Sequence, residues 1–541
     1  MGGPIFLTGF MAAGKTTVGR LLADRLDVPF VELDDVVTAA AGAPVREIFA
    51  DRGEAEFRRL ESEALASVLD RDAVIATGGG TPCHADNLAT MRAHGLVVAL
   101  AVSLDTAYQR VGDVSSRPLL ARPREEIDRL HRDRLPIYRQ AHAVIATDGK
   151  APVEVAGEVA EVVARAGALG DLLPDSILVA LGPRTCPIAI RAGSLERLGS
   201  LARDALGPRV EQVALVADST VDALHGDAAA RALAAAGLHV VQAVVPAGET
   251  AKSVDSFAAL QETLVEAGLD RSSAVVALGG GVVGDLAGFA AASLYRGVPC
   301  VQVPTTLVAM VDSAIGGKTG INLDAGKNLV GAFHQPRLVL ADPDLLATLP
   351  GRERRAAFGE LLKYALLDGE ELYAEVDGLA PALAPDDPSP PPAALTAVIR
   401  RAAGIKAAIV SADEREQAGE RALLNLGHTV GHAIEAAAGY GTLLHGEAVA
   451  LGLLAACRVS AALGLADRTL EERVAGSLAR AGLATDIDTW LRPDVLARIG
   501  VDKKRTGSRI GFIAIARPGE ARVVPLALVQ LGEILAAPER L

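Results

Sequence analysis

The sequence has few cysteines, few aromatic residues and no long apolar run. Its 541 residues include one tryptophan, and only 3% of them are aromatic. The four cysteines, Cys83, Cys186, Cys300 and Cys457, lie far apart with no CxxC spacing. This pattern argues against a disulfide framework or a thiolate metal site and fits a reducing cytoplasm. No apolar stretch approaches the roughly 20 residues of a membrane helix, and no basic region precedes an apolar core at the amino terminus. We therefore expect a cytoplasmic protein without a membrane partner.

Basic residues are also in deficit. The chain has 53 Lys and Arg against 67 Asp and Glu, which gives a formal net charge of −14. A sequence-independent hold on nucleic acid needs clustered cations, so nucleic acid is not an expected partner. Any anionic small molecule must therefore bind in local basic pockets. At this length, with half of the residues apolar, more than one hydrophobic core is expected.

Apolar runs alternate with amphipathic stretches twice along the chain, and each series is typical of a parallel α/β sheet. After about residue 350 long helical patterns take over, with one strand-like stretch, RIGFIAIA, near the end. The proline-rich segment 379–395 is predicted to be an exposed loop. The fold class is therefore α/β, with a P-loop-type parallel sheet first, then a Rossmann-like domain, then a mostly helical domain. The predicted ranges are 1–168, a linker at 169–176, 177–347 and 348–541.

A phosphate-binding loop follows the first predicted strand. The string GFMAAGKTT contains Gly9, Gly14, Lys15 and Thr16 and leads into a helical pattern, which is the context that a P-loop requires. The glycines let backbone N–H groups face phosphates at a helix N-terminus. Lys15 adds charge at the transferred phosphoryl group, and Thr16 can hold Mg²⁺. The sequence therefore predicts a kinase that uses ATP with Mg²⁺.

The phosphoryl acceptor is suggested by groups that follow this loop. Asp34 ends the second predicted strand, Arg58 lies on a predicted helix, and three glycines, 78–80, follow the third strand. A carboxylate, a guanidinium and exposed N–H groups suit a small polyhydroxy acid. Arg58 could bind its carboxylate with two hydrogen bonds, and Asp34 could orient the reacting hydroxyl.

On these residues, positions 1–165 resemble shikimate kinase, which implies ATP-dependent phosphorylation of shikimate to shikimate 3-phosphate. The resemblance adds Arg117 in SSRPLL as a lid arginine and Arg134 in RLPIY as a second carboxylate-binding arginine. Glu32 departs from the family, which commonly has Asp there near Mg²⁺. The implied catalytic residues are Lys15, Asp34 and Arg117. The implied ATP-binding residues are Gly9, Gly14, Lys15, Thr16, Thr17 and Arg117. The implied shikimate-binding residues are Asp34, Arg58, Gly79, Gly80 and Arg134.

A second nucleotide site is predicted in the second α/β part. Gly280 and Gly281 lie in a glycine run between a predicted strand and a helix, where a pyrophosphate could approach the backbone. Asp218 ends an earlier strand, and Glu249 and Lys252 follow the next one. Because ribose hydroxyls are commonly bound at such strand ends, these residues together favour NAD.

Candidate metal ligands lie in the helical part. Glu360 and Lys363 are three residues apart, and His428 and His432 are four apart, so each pair shares one helix face. His445 completes a group of three histidines within eighteen positions. One glutamate with two histidines and an open position is a ligand set of catalytic Zn²⁺.

With LYRGV, VPTTLVAMVDSAIGGKTGIN and GKNLVGAFHQP, these strings make residues 175–540 similar to 3-dehydroquinate synthase. The resemblance implies NAD, and Zn²⁺ or Co²⁺ held by Glu360, His428 and His445, with His432 beside the substrate. The implied NAD-binding residues are Asp218, Glu249, Lys252, Gly280, Gly281, Asp285, Thr305, Thr306, Lys318 and Lys327. The implied residues for the heptulosonate phosphate are Arg296, Asp312, Lys318, Lys327, Asn328, Lys363, Lys406, Arg421, Asn425, His432 and Lys503. The implied catalytic residues here are Lys318, Lys363, Lys406 and His432, and Asp312 would help organise Lys318 and the pocket.

The resemblance also implies a reaction in which NAD⁺ is used without being consumed. A ring hydroxyl is oxidised, phosphate leaves by β-elimination, the hydride returns, and the enol closes by an aldol step. A homodimer through the synthase part is a further implication. Other small-molecule P-loop kinases, a related sugar-phosphate cyclase and a glycerol-dehydrogenase-like enzyme are the alternatives within enzymes. A degenerate half that serves as a scaffold or regulator is the alternative from a different class.

Overall fold

The protein, described by a computed structural model, forms two compact units, one of Met1–Ala189 with Ala407–Ala412 and one of Ile190–Lys406 with Asp413–Leu541. The first unit runs past the predicted junction at 169–176, and the boundaries between functional domains stay a prediction. Within the described residues no helix is both long and apolar enough to cross a bilayer. The described ranges are 2–111, 123–324, 326–386, 391–417, 419–439, 442–499, 505–506 and 509–536.

The first unit contains a parallel sheet and a short hairpin. Its elements are β1 (Ile5–Thr8), α1 (Lys15–Leu26), β2 (Phe30–Glu32), α2 (Leu33–Ala41), α3 (Val45–Ala66), β3 (Val74–Ala76), α4 (Asn87–His94), β4 (Leu96–Ala101), α5 (Leu104–Val111), α6 (Arg124–Tyr138), β5 (Ala143–Ala146), α7 (Pro152–Ala166), β6 (Ser176–Val179) and β7 (Cys186–Ile190).

Five of these strands lie in the order β2-β3-β1-β4-β5, and every neighbouring pair is parallel. Phe6, at the centre of β1, pairs with Ile75 on one side and Val97 on the other. The side chains of β1 and β3 are buried along their whole length, as their apolar runs predict. The carboxyl ends of β1, β2 and β3 therefore meet at one edge of the sheet, where the predicted kinase residues follow.

The second unit begins with an α/β part and continues with helices. Its elements are α8 (Leu198–Leu206), β8 (Gln212–Asp218), α9 (Ser219–Val221), α10 (Asp227–Ala235), β9 (His239–Val245), α11 (Val254–Glu266), β10 (Ala274–Gly279), α12 (Gly281–Ser293), β11 (Cys300–Pro304), β12 (Lys318–Leu323), β13 (Gly326–Phe333), β14 (Leu338–Ala341), α13 (Gly351–Asp368), α14 (Glu370–Leu383), α15 (Ala393–Ala412), α16 (His428–Ala438), α17 (His445–Ala462), α18 (Thr469–Arg480), α19 (Pro493–Ile499), β15 (Arg505–Thr506), β16 (Arg509–Ile515), β17 (Ala521–Ala527) and α20 (Leu528–Ala536).

Parallel strands in the order β14-β11-β10-β8-β9 form the sheet of this unit, and α12 packs on it through Leu286, Ala287 and Ala290. Strands β12 and β13 form an antiparallel hairpin beside α12. The strand predicted in RIGFIAIA is β16, the middle strand of a small antiparallel sheet. The α/β class, the Rossmann-like part and the helical part that follows it are confirmed.

The prediction of a loop over 379–395 is wrong at both ends. Helix α14 continues through Pro381 to Leu383, and α15 already begins at Ala393. A proline this close to the end of a helix removes only one late hydrogen bond. Burial of Leu379, Ala380 and Leu383 stabilises the last turn and outweighs that loss.

Candidate active sites

The P-loop lies between β1 and α1, as predicted. Gly9 and Gly14 have φ angles of +133° and +94°, which favour glycine over other residues. A Cβ on Gly9 would also overlap the backbone of Leu100 on β4. The Lys15 ammonium group donates to the carbonyls of Gly9 at 2.9 Å and Phe10 at 3.1 Å. Lys15 is therefore held within the loop, beside the N-terminus of α1, where phosphates bind readily.

The predicted magnesium position has two oxygen groups. The Thr16 hydroxyl donates to Glu32 Oε2 at 2.7 Å. Burial raises the pKa of Glu32, and the hydrogen bond from Thr16 only partly offsets this effect. A hydroxyl and a carboxylate are the kind of oxygen ligands that Mg²⁺ prefers, so Glu32 can take the part that Asp has in the family.

The predicted acceptor pocket is assembled from α2, α3 and the glycine turn after β3. Asp34 lies in the first turn of α2 rather than at the end of the strand. Arg58, on α3, lies so close to Gly80 that a Cβ there would overlap its guanidinium. Arg134, on α6, lies beside Gly79. The structure thus brings together the carboxylate, both arginines and the glycine turn, while Arg117 lies outside the described residues.

Three further residues of this site were not predicted. Glu61 is fully buried, pairs with Arg58 at 2.7 Å and accepts a short hydrogen bond from Thr81. The Tyr138 hydroxyl donates to the Gly79 carbonyl at 2.7 Å. Arg110 donates to the carbonyl of Ala12 in the P-loop at 3.3 Å. The spacing of Glu61 three residues after Arg58 on a helix could have indicated the first of these contacts.

In the second unit, the glycines at the start of α12 lie against small side chains. A Cβ on Gly280 would approach Thr306 to 2.9 Å, and one on Gly281 would approach Ser313 to 2.8 Å. The backbone N–H of Thr305 donates to the carbonyl of Gly279 at 3.0 Å. This hydrogen bond joins the chain after β11 to the turn between β10 and α12. The open backbone at this helix N-terminus suits a pyrophosphate, as the glycine run predicts.

Two predicted NAD residues and one predicted substrate residue are in direct contact nearby. Lys252 donates to Asp285 and to Asn328, each at 2.6 Å. Burial raises the pKa of Asp285, while the charge of Lys252 opposes this effect. Asp218 lies at the end of β8 and accepts hydrogen bonds from the amides of Thr220 and Val221.

Close packing of two helices brings the predicted metal ligands together. Gly359 on α13 and Gly446 on α17 each leave room for the other helix, because a Cβ at either position would overlap the opposite backbone. Glu360 directly follows Gly359 in the chain, and His445 directly precedes Gly446. Their side chains meet because the helices approach this closely.

The three predicted ligands converge on one point. Glu360 Oε1 lies 3.4 Å from His428 Nε2 and 3.3 Å from His445 Nε2. The histidine nitrogens of His428, His432 and His445 all lie within 4.8 Å of one another, so His432 could also reach an ion. A buried carboxylate facing two imidazoles fits a divalent metal such as Zn²⁺ or Co²⁺.

Two lysines beside these ligands share Asp312. Lys363 lies 2.6 Å from Glu360 and 3.5 Å from Asp312, and Lys406 makes a short ion pair with Asp312. Burial lowers the pKa of Lys363, but the two carboxylates outweigh it, so the pKa lies above its ordinary value. For Lys406 burial prevails, and its pKa is lowered despite Asp312. The two ammonium groups thus differ in how readily they lose a proton.

The remaining predicted substrate residues are less closely grouped. The direct partner of Lys318 is Glu416, which also lies 3.7 Å from Arg421, so Asp312 does not organise Lys318 by contact. Asn425 is half-buried and lies three residues before His428, where α16 begins. Arg296 is exposed after the end of α12, about 20 Å along that helix from its glycine end. Within the part of the chain that the structure describes, Arg296 makes no hydrogen bond or ion pair with another predicted substrate residue, and Lys503 lies outside the described residues.

Comparison with known proteins identifies a family for each part of the chain. A family model described as Shikimate kinase matches residues 11–164. Models described as 3-dehydroquinate synthase N-terminal and C-terminal match residues 242–356 and 357–505. A 3-dehydroquinate synthase of Symbiobacterium thermophilum is 48% identical over 349 residues, which are 95% of its length and 64% of this chain. The chain belongs to both the shikimate kinase family and the 3-dehydroquinate synthase family.

Two solved structures are also similar. A 2-deoxy-scyllo-inosose synthase complexed with carbaglucose-6-phosphate, NAD⁺ and Co²⁺ is 27% identical, with a TM-score of 0.59. The match covers 67% of this chain and 99% of that one. A shikimate kinase from Acinetobacter baumannii in complex with shikimate is 36% identical, with a TM-score of 0.29, and the match covers 30% of this chain and 93% of that one.

In the 3-dehydroquinate synthase part, Glu435 on α16 was not predicted as a site residue. It accepts a hydrogen bond from Lys327 at 2.6 Å and lies 3.3 Å from His445 Nδ1. Burial would raise the pKa of Glu435, but His445 and Lys327 lower it to about 2. Its position three residues after His432 is a helical spacing that could have indicated it.

Proposed function

We propose that the chain catalyses two reactions of aromatic amino acid biosynthesis, one in each unit. The first is phosphorylation of shikimate by ATP to shikimate 3-phosphate. The second is conversion of 3-deoxy-D-arabino-heptulosonate 7-phosphate to 3-dehydroquinate with release of phosphate. The convergence of Glu360, His428 and His445 beside Lys363 and Lys406 carries the second assignment. The P-loop facing Asp34, Arg58 and Arg134 carries the first. Each of these motif positions carries the residue type that its chemistry requires. A half that has lost its activity and serves as a scaffold or regulator is therefore the weaker alternative.

In the kinase site the residues act mainly by position and charge. Arg58 and Arg134 bind the shikimate carboxylate, and Glu61 keeps the Arg58 guanidinium against the glycine turn. Asp34 orients the hydroxyl that attacks. Lys15 leaves the loop carbonyls to neutralise charge on the phosphoryl group, while Thr16 and Glu32 would hold Mg²⁺.

In the synthase site Glu360, His428 and His445 would hold the metal, with α12 binding the NAD pyrophosphate. When bound, NAD accepts and returns a hydride, and the metal supplies a Lewis acid. Lys363, held by ion pairs with Glu360 and Asp312, stabilises developing oxyanions. Lys406, whose pKa is lowered, exchanges a proton more readily. Lys318 and Arg421 bind anionic groups of the substrate in place of Glu416.

Replacing Arg58 by alanine tests the acceptor assignment. We expect the KM for shikimate to rise about 10–100-fold, because a charged hydrogen-bonding group contributes about 1.5–3 kcal/mol. The KM for ATP should change little. Initial rates against shikimate at saturating ATP measure the effect. Arg59→Ala is the matched control, since Arg59 is half-exposed and pairs only with Glu56 and Glu63 among the described residues. An unchanged KM for shikimate in R58A would contradict the assignment.

A homodimer through the synthase part belongs to the same proposal. Leu329 and Phe333, four residues apart on β13, share one face of the hairpin and are 40% and 45% exposed. On the opposite face, Ile321 of β12 is buried. An exposed apolar face on a two-stranded hairpin is typical of an interface.

Both reactions and the four free cysteines also support the proposal of a cytoplasmic location, which cell fractionation would test.

Charge on this face of the hairpin should prevent dimer formation. We expect Phe333→Asp to elute as a monomer in size-exclusion chromatography with light scattering, where the unmodified chain is expected to be a dimer, because burying a carboxylate in an apolar contact is costly. Val529→Asp is the control, since Val529 is 73% exposed on α20. A dimer that persists in F333D, or a monomeric unmodified chain, counts against this interface.

A further inference from the structure

Glu435 lies between a predicted metal ligand and a lysine of the hairpin. It is on α16 and is only 8% exposed. One oxygen, Oε2, lies 3.3 Å from Nδ1 of His445, and the other, Oε1, accepts a hydrogen bond from Lys327 at 2.6 Å. The opposite nitrogen of His445, Nε2, lies 3.3 Å from Glu360. The imidazole of His445 is therefore held on one side by Glu435 and directed towards Glu360 on the other.

A histidine that binds a metal through one nitrogen usually donates its other N–H to a fixed acceptor. This bond sets the tautomer and the ring orientation, and it increases the basicity of the ligand. His428 has such an acceptor in the carbonyl of Leu426, 3.1 Å from its Nδ1. For His445 the corresponding acceptor is a carboxylate, which binds an N–H more strongly than a carbonyl does.

Lys327 explains how a buried carboxylate is kept in this position. Its ammonium group pairs with Glu435 at 2.6 Å and lies 3.6 Å from Glu249. The pair satisfies the oxygen that does not face His445, so Glu435 has partners on both oxygens. An unpaired carboxylate at this depth would be costly, and the ion pair offsets part of that cost.

From this geometry we propose that Glu435 is a positioning residue that orients His445 for metal binding, with Lys327 fixing Glu435 in place. The inference rests on the proposed function only in taking His445 as a metal ligand. Glu435 itself does not touch the metal or the substrate. Its loss changes how well His445 binds, and therefore changes metal affinity before any step of the reaction.

The test is a Co²⁺ titration of the full chain after treatment with a chelator, followed by visible absorption of the bound ion. In Glu435→Ala we expect Co²⁺ to bind about 10–100-fold more weakly, as is typical when the acceptor behind a histidine ligand is removed. Glu435→Gln keeps an oxygen that can accept from Nδ1–H, so its affinity should lie between those of E435A and the unmodified chain. That recovery distinguishes positioning of a ligand from a general role in stability.

Glu471→Gln is the matched control. Glu471, on α18, pairs at 3.0 Å with Arg458. Arg458 lies on α17, about 20 Å along that helix from His445. E471Q should leave Co²⁺ affinity unchanged. Thermal unfolding of each variant shows whether it is folded, and the isosteric E435Q keeps the test open if E435A is not. Unchanged Co²⁺ affinity in folded E435A would overturn the inference, and so would unchanged affinity in E435Q if E435A does not fold. If the unmodified chain binds no Co²⁺, the proposed metal site fails instead.

Discussion

Replacing Lys15 by alanine is expected to lower ATP-dependent phosphorylation of shikimate by at least about 10²–10³-fold, a loss typical of removing one charge-stabilising donor. Phosphate release from the heptulosonate substrate should be unaffected. The reason is that Lys15 lies in the P-loop of the first unit, where it donates to the carbonyls of Gly9 and Phe10, while the proposed synthase ligands are carried by α13, α16 and α17 of the second unit. A coupled assay for ADP and a phosphate-release assay on the same preparation measure the two activities.

Lys150→Ala is the control for this experiment. Lys150 is a half-buried lysine of the same unit that pairs with Glu158 at 2.8 Å. It should retain both activities. Loss of both activities in a folded K15A chain would contradict the proposal that each reaction has its own site.

Removal of the proposed metal ligand Glu360 is expected to have the second large effect. Glu360→Gln keeps the volume of the side chain but removes the charge that faces His428 and His445. Loss of a Lewis acid worth several kcal/mol lowers turnover by about 10³-fold or more. The kinase activity should persist in excess Mg²⁺. Phosphate release and Co²⁺ binding, measured on the same protein, check both expectations.

The matched control is Glu353→Gln, about 10 Å earlier on α13. A chelator selective for transition metals should reproduce the effect of E360Q in the unmodified chain, and added Co²⁺ should restore turnover. Full synthase turnover in chelator-treated protein, or normal Co²⁺ binding by E360Q, would show that Glu360 is not a ligand.

Residues that are close in the chain were the ones that sequence reasoning identified. Lys15 and Thr16 follow the glycines of one loop, so their geometry is set by a strand, a turn and a helix. Likewise, His428 and His432 share a helix face because of their spacing. Both features depend on local backbone structure alone, and the pattern of residues describes that structure well.

Contacts between distant residues could not be predicted in this way. Lys318 and Glu416 are 98 positions apart, and Lys406 and Asp312 are 94 apart. The sequence offers many lysines and carboxylates, and only packing selects which of them pair. The sequence predicts that Asp312 helps organise Lys318 and the pocket, but it does not show that the direct contacts of Asp312 are with Lys363 and Lys406, while Lys318 pairs with Glu416.

The motifs were sufficient to predict the two families and the α/β class, because the residues that indicate them lie in contiguous strings. The electrostatics of the site depended on three-dimensional packing. Gly359 and Gly446 let two helices approach so that Glu360 meets His445. Burial lowers the pKa of both Lys363 and Lys406, and the carboxylates of Asp312 and Glu360 outweigh this effect for Lys363 alone of the two. A pKa responds to distance and desolvation, and residue spacing along the chain specifies neither of them for side chains on different helices.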